Sequence, residues 1–240
     1  MSGLDVFGFG EGGWGLSFLA GAAMTVLVSA AALLFGAVIG ALAAWGRLSG
    51  NKAAGALSVG FSAIFRGVPE LLVVYFVYFG SSALLTAIGN AMGVTGFIGM
   101  PAFLAGVLAV GVISGAYQGE VYRGGYLAVA RGEIEAAQAI GMSRFLSFRR
   151  IIAPQVLRFA IPGLGNLWQM ALKDSSLISV TGLAELMRVS QVGAASSHRP
   201  FAFYIGGCAL YLIVTSITNR LFDAAERHAT RGLKQQTSER

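Results

Sequence analysis

The sequence predicts an all-α integral membrane protein of about five transmembrane helices, and three observations lead there. Hydrophobic residues make up 55% of the 240 residues and charged residues only 12%, whereas an average soluble domain is about 25% charged. Apolar runs recur along the chain, each close to the ~20 residues that a helix needs to span a bilayer. Lys and Arg fall between those runs with a one-sided bias, as on a cytoplasmic membrane face. The 34 glycines fit the same solvent, because small residues let membrane helices approach closely.

The first 16 residues hold Asp5 and Glu11 and no Lys or Arg. The apolar run that follows is far longer than the roughly 7–15 residues of a signal-peptide core. Residues 1–16 are therefore expected to be an outward segment. The first span covers residues 18–45, with Trp14 and Trp45 as interfacial anchors. The second covers residues 56–85 and is interrupted by Arg66, Gly67, Val68 and Pro69, since proline removes a helix donor and crowds the preceding turn. Tyr75, Phe76, Tyr78 and Phe79 form an interfacial or packing cluster on it. Residues 87–100 are Gly-rich and uncharged and read as an outward loop or short surface helix. The third span covers residues 101–122, the fourth 159–180 and the fifth 201–222. Gly36 and Gly40 on the first span, and Gly111, Gly115 and Gly119 on the third, are spaced as packing seams. Cys208, in the fifth span, reads as a small core residue. From about residue 228 the tail is polar and expected to fray.

The charge pattern orients these spans. Arg47 and Lys52 follow the first; Arg131, Arg144, Arg149, Arg150 and Arg158 follow the third; Arg227, Arg231, Lys234 and Arg240 follow the fifth. The opposite side has only Arg188 and Arg199. The N-terminus is thus expected outside and the C-terminus inside. The same distribution argues against nucleic acid as a partner: the net charge is +6, but the basic residues line loops and do not form one patch. One cysteine forms no internal disulfide, and with His198 and His228 it offers no zinc spacing. Lys52, Lys173 and Lys234 stand in no phosphate-cradling frame. No catalytic residue, metal or cofactor is expected.

The inward loop between spans three and four carries the strongest motif. Arg131 to Gly141 reads as a short helix. Glu133 and Glu135 are placed in its first turn, where the helix dipole favours acids. Ala136, Ala137 and Ala139 favour helix and add almost no bulk, and Gly141 offers a stop. Such a helix suits docking into a partner's groove, and equally an ordinary linker. The spacing Glu135, Ala136, Ala137, three residues, Gly141, nine residues, Ile151, then Pro154 resembles the EAA loop of ABC importer permeases, with Ala153 where that family usually has Leu. The likeness covers nearly the whole chain. Arg66 to Leu71, Tyr117, Glu120, Arg123 to Gly125, Lys173 to Leu177, and Pro154 to Ala160 followed by Pro162 and Gly163 resemble landmarks of the polar amino-acid permeases. Val180 to Arg188 is similar to the permeases for the opines octopine and nopaline.

The resemblance implies a type I ABC permease core over residues 17–223, a cytoplasmic coupling loop at 131–155 and a cytoplasmic tail at 224–240, in a bacterial inner membrane. It implies that Glu133, Glu135, Ala136, Ala137, Gly141 and Pro154 couple to an ATP-binding subunit dimer. The other implied partners are a second permease chain, related or identical, and a periplasmic solute-binding protein. The cargo implied is a basic amino acid or an opine, moved by ATP hydrolysed on the partner.

Ionisable groups inside a span cost ~2.5–3.5 kcal/mol each at its centre on insertion scales, so they mark function by default. Arg66, Glu70, Tyr117, Glu120, Arg123 and Lys173 are the candidate substrate pathway. In one reading the carboxylates face a substrate guanidinium or ammonium, and Arg or Lys faces its carboxylate. In the other, Arg66 pairs with Glu70 and Glu120 with Arg123 as internal braces. Asp174 reads as an outer helix end, because helix neighbours do not face each other. An intramembrane enzyme using the buried carboxylates, and a passive channel, are the competing classes.

Overall fold

Hydrocarbon cannot satisfy a backbone N–H or C=O, so a chain this apolar must close its hydrogen bonds within helices. The computed structural model describes residues 7–10 and 12–230, and these are helical throughout their ordered elements. In chain order they are α1 (Gly15–Leu48), α2 (Lys52–Gly67), α3 (Glu70–Ala91), α4 (Ala102–Ala128), α5 (Arg131–Ala139) and α6 (Arg144–Ser147). A π-helical turn (Phe148–Ile152) leads into α7 (Ala153–Asp174), and a 3-10 segment (Ser175–Thr181) leads to α8 (Leu186–Ser197) and α9 (Pro200–Thr230). Asp5, Glu11, Arg231, Lys234 and Arg240, used above to orient the chain, lie outside the described residues.

Four described helices, α1, α3, α4 and α9, are long and apolar enough to cross a membrane. The fourth expected span corresponds to α7, which is less apolar because it carries Arg158, Lys173 and Asp174 and has Pro162 inside it. It begins at Ala153 and ends at Asp174, and residues 175–181 form tighter 3-10 turns. The second span is broken where expected. Val68 and Pro69 are extended, with ψ of 137° and 130°, since the residue before a proline is pushed out of the helical region. Beyond the break α3 runs to Ala91, so the loop that follows is shorter than its composition indicated. Met100 N donates to Ser82 Oγ (2.9 Å) and Ile98 N to Thr86 Oγ1 (3.0 Å), which ties that loop back onto α3. Helix α8 lies between the fourth and fifth expected spans, in a stretch to which the sequence assigned no element.

The glycine stripes meet each other. A Cβ on Gly36 would lie 2.8 Å from the Gly111 carbonyl oxygen, and one on Gly40 would lie 3.0 Å from the Gly119 nitrogen. Residue numbers rise together along this seam, so α1 and α4 run in the same direction, as first and third spans must. Gln118, fully buried, bridges them: its Nε2 donates to the Leu33 carbonyl (3.0 Å) and to Ser114 Oγ (2.9 Å), and its Oε1 accepts from the Tyr122 hydroxyl (2.8 Å).

A second cluster packs α1 against α8 and α9 through Phe18, Leu186, Val189 and Phe203. Trp14 stands edge-on to Phe203 at 5.4 Å, so it is a packing residue as well as a flank of α1. Trp45 is 66% exposed, as an interfacial anchor requires. Tyr78 contacts Phe79 edge-on at 5.1 Å while Phe76 points outward. Cys208 is exposed, not core. The reason is that α9 packs along one narrow face, against α8 and α7, and turns the rest outward.

Candidate functional site

The inward loop is built as a compact hook. In α5, Glu133 sits in the first turn; Glu135 falls in the second, because the helix starts at Arg131. Glu133, Glu135 and Ala136 are exposed, while Ala137, 2% exposed, faces back onto the fold. Gly141 takes φ +77°, a left-handed conformation that other residues reach only at ~1–2 kcal/mol. The Gly141 N–H donates to the Gln138 carbonyl and Met142 N–H to the Ala137 carbonyl, both at 3.0 Å, which closes the helix end. Ser143 then caps α6. Pro154 stands in the first turn of α7, where its missing N–H removes no helix bond. Glu133 Oε2 accepts from Gln155 Nε2, pinning the tip of the hook to the root of α7.

The candidate pathway residues separate into three places. Glu120 on α4 gathers three guanidinium groups: Arg47 from the end of α1 at 2.5 Å, Arg66 from the end of α2 at 3.7 Å, and Arg123 from its own helix at 3.1 Å. Arg66 also lies 5.1 Å over the Tyr117 ring, a cation–π contact. Three cations on one carboxylate leave two positive charges in a half-buried cluster. The expected Glu120–Arg123 pair is present; an Arg66–Glu70 pair is not among the ion pairs of the described residues. The Val68–Pro69 break removes the helical register that would have stacked those two side chains, and Arg66 reaches Glu120 instead. Arg47, which had read as an ordinary loop cation, is part of the cluster.

Glu70, at the start of α3, lies beside Asp174 at the end of α7, close enough for the two carboxyl groups to interact. Asp174 is 8% exposed. Two carboxylates this close repel unless a proton or a cation lies between them. Lys173, the next residue, points elsewhere: it lines a cavity of about 280 Å³ between α7, α8 and α9, with Met187, Tyr204, Cys208 and Tyr211. Sequence reasoning placed Lys173 in the pathway and treated Asp174 as a helix end. Asp174 does end α7, but its partner across the break could not be read from spacing.

Glu185 was missed as well. It is fully buried and caps α8, accepting from Arg188 N (2.7 Å) and Met187 N (2.9 Å). The Tyr211 and Thr25 hydroxyls donate to its Oε2 at 3.0 and 3.5 Å, and Thr25 Oγ1 accepts from Leu186 N at 3.2 Å. One carboxylate thereby ties α1, α8 and α9 together. An acidic residue after Gly182 and before an apolar run was the available signal, since side-chain acceptors at a helix start satisfy orphan N–H groups.

Comparison with known proteins agrees with this construction. The family model described as binding-protein-dependent transport system inner membrane component matches residues 36–231. The octopine transport system permease protein OccQ of Rhizobium meliloti is 49% identical over 98% of this chain and 99% of its own. The histidine/lysine/arginine/ornithine transport system permease protein HisQ of Escherichia coli is 37% identical over 90% of this chain and 94% of its own. Among solved structures, an amino acid ABC transporter with histidines superposes with a TM-score of 0.75 at 30% identity, covering 90% of this chain and 95% of that one. With an exposed alanine-rich hook, charges held between apolar helices and these relatives, the chain belongs to the family of binding-protein-dependent transport system inner membrane components.

Proposed function

We propose that the chain is the permease subunit of an ATP-driven importer for a basic amino acid or an opine. It crosses the inner membrane five times, by α1, the broken α2–α3 pair, α4, α7 and α9, with the N-terminus outside and the C-terminus inside. The ATP-binding dimer docks on Glu133, Glu135, Ala136, Ala137 and Gly141, and Pro154 passes the motion into α7. A periplasmic binding protein supplies the cargo, and a second permease chain, identical or related, completes the passage. The permease domain is residues 17–223, with cytoplasmic residues 224–240 after it. The carrying observation is the continuity of hook and span: Glu133 holds Gln155, and α7 then runs 22 residues to Asp174 beside Glu70, roughly 33 Å at 1.5 Å per residue. A push on the hook therefore reaches the carboxyl pair.

At that pair a guanidinium or ammonium group satisfies both carboxylates, and Lys173 one residue away complements the cargo's carboxylate when α7 turns. Glu120, with Arg47, Arg66, Arg123 and the Tyr117 ring, acts as a brace or gate. Its carboxylate is already occupied by three cations, which favours this role over substrate contact. The relatives' cargoes, octopine and the basic amino acids, carry the guanidinium or ammonium groups that a carboxyl pair suits.

The test is uptake and ATPase rate in the reconstituted complex. Glu70→Gln and Asp174→Asn should each lower uptake of a cationic cargo at least tenfold while leaving assembly intact. Normal affinity and rate in both variants would remove the carboxyl pair from the pathway. Gly141→Asp should abolish transport with membrane insertion unchanged; wild-type uptake in that variant would count against the hook as the docking element.

A further inference from the structure

At the other end of α1 and α4 from the carboxyl pair lies a groove that none of the proposed docking residues lines. Its volume is about 730 Å³, within the roughly 300–1,000 Å³ of small-ligand sites. Ala37, Ala41 and Ala44 of α1 form one wall, and their small side chains are what leave the space. Tyr122 and Tyr126 of α4 form the second, and Ile152, Val156 and Leu157 at the root of α7 the third. The Tyr122 hydroxyl is committed to Gln118, so its ring is what the groove presents. Among the described residues no acidic side chain lines the groove, and Arg144 stands in it as the single charge.

We propose that this groove seats an acyl chain of an anionic phospholipid, with the lipid phosphate on Arg144. The inference rests on the orientation proposed above, which puts this end of α1 in the inner leaflet. Trp45, on the groove rim and largely exposed, marks the level of the headgroups, where such rings settle. Arg144 stands at the same rim, and exposed Arg149 and Arg150 follow it on the turn into α7. Basic pockets between helices on the cytoplasmic side select anionic headgroups, and an apolar slot open to hydrocarbon fills with the chain that the bilayer supplies. The lipid would then bridge α1 and α4 to the turn between hook and α7.

The experiment is photolabelling of the assembled transporter in nanodiscs with phosphatidylglycerol carrying a diazirine in its acyl chain, with the matching phosphatidylethanolamine probe alongside. Neither substrate nor nucleotide enters the readout, so its failure is distinguishable from failure of the transport reading. In the wild type, phosphatidylglycerol should label the groove peptides, residues 37–48 and 152–157, in preference to phosphatidylethanolamine. Ala41→Trp fills the slot and should remove that labelling with either probe. Arg144→Gln, on an exposed side chain that leaves folding untouched, should lower the preference for phosphatidylglycerol by about fivefold, the ratio equivalent to ~1 kcal/mol of attraction per basic residue at the surface. Equal labelling by the two probes in wild type, unchanged labelling in Ala41→Trp, or crosslinks from the groove to the ATP-binding subunit would each overturn the proposal.

Discussion

Gln118 shows how much one side chain can decide in a medium without water. Its amide fills the gap between two glycine-lined helices, and all three of its hydrogen bonds end on groups that have no solvent to fall back on. Gln118→Leu keeps the volume and strands the Ser114 and Tyr122 hydroxyls, so it should destabilise the fold by ~1–3 kcal/mol, read as a fall in melting temperature of the detergent-purified complex. Glu120 acts by charge. Glu120→Gln leaves three guanidinium groups facing one another, so melting temperature and uptake should both fall. Because salt shortens the screening length from about 10 Å at 0.1 M to about 3 Å at 1 M, the gap in melting temperature should narrow in 1 M salt. An unchanged gap would argue that the loss is one of packing.

The elements are set by where glycine and proline stand. The α1–α4 seam depends on Gly36, Gly40, Gly111, Gly115 and Gly119. Gly36→Ala puts a methyl group 2.8 Å from both the Gly111 oxygen and Gln118 Nε2, and overpacking of this kind costs typically ~1–3 kcal/mol. The same change at Gly60, whose Cβ position on α2 is open, should leave the melting temperature unchanged or slightly raised, because alanine favours helix. These stripes were legible as seams; that they pair with each other was not, because spacing along one helix says nothing about which helix lies opposite. The break at Val68 and Pro69 was legible from proline chemistry. Helix α8 was not, because its start is capped by Glu185, an uncommon capping residue that works here through burial beside Tyr211 and Thr25.

On the transport reading proposed above, the whole molecule is a lever set in a membrane. In the proposed orientation the hook, the turn at residues 148–152 and α7 form one path from the cytoplasmic side to the carboxyl pair, with the α1–α4 seam as the rigid body it works against. Gln155→Ala cuts the strap between hook and α7 while leaving every docking side chain, Glu133 included, in place. It should leave nucleotide hydrolysis in the assembled complex near wild type while uptake falls severalfold, a change in the ratio of cargo moved to ATP consumed. Equal losses of both rates would mean that the strap serves assembly alone.

Composition, the periodic apolar runs and the alanine-rich motif by themselves determined that this chain lives in lipid, is helical and offers a short alanine-rich hook between its apolar helices, because each of those properties is local: a span, a cap or a turn needs only its own neighbours. Only the tertiary structure decided that Arg66 turns to Glu120 and not Glu70, that Asp174 lies beside Glu70, and that Cys208 faces outward. Those outcomes depend on which helices become neighbours and at what rotation, and a side chain four residues away in sequence loses to one fifty or a hundred away when a proline breaks the register between them.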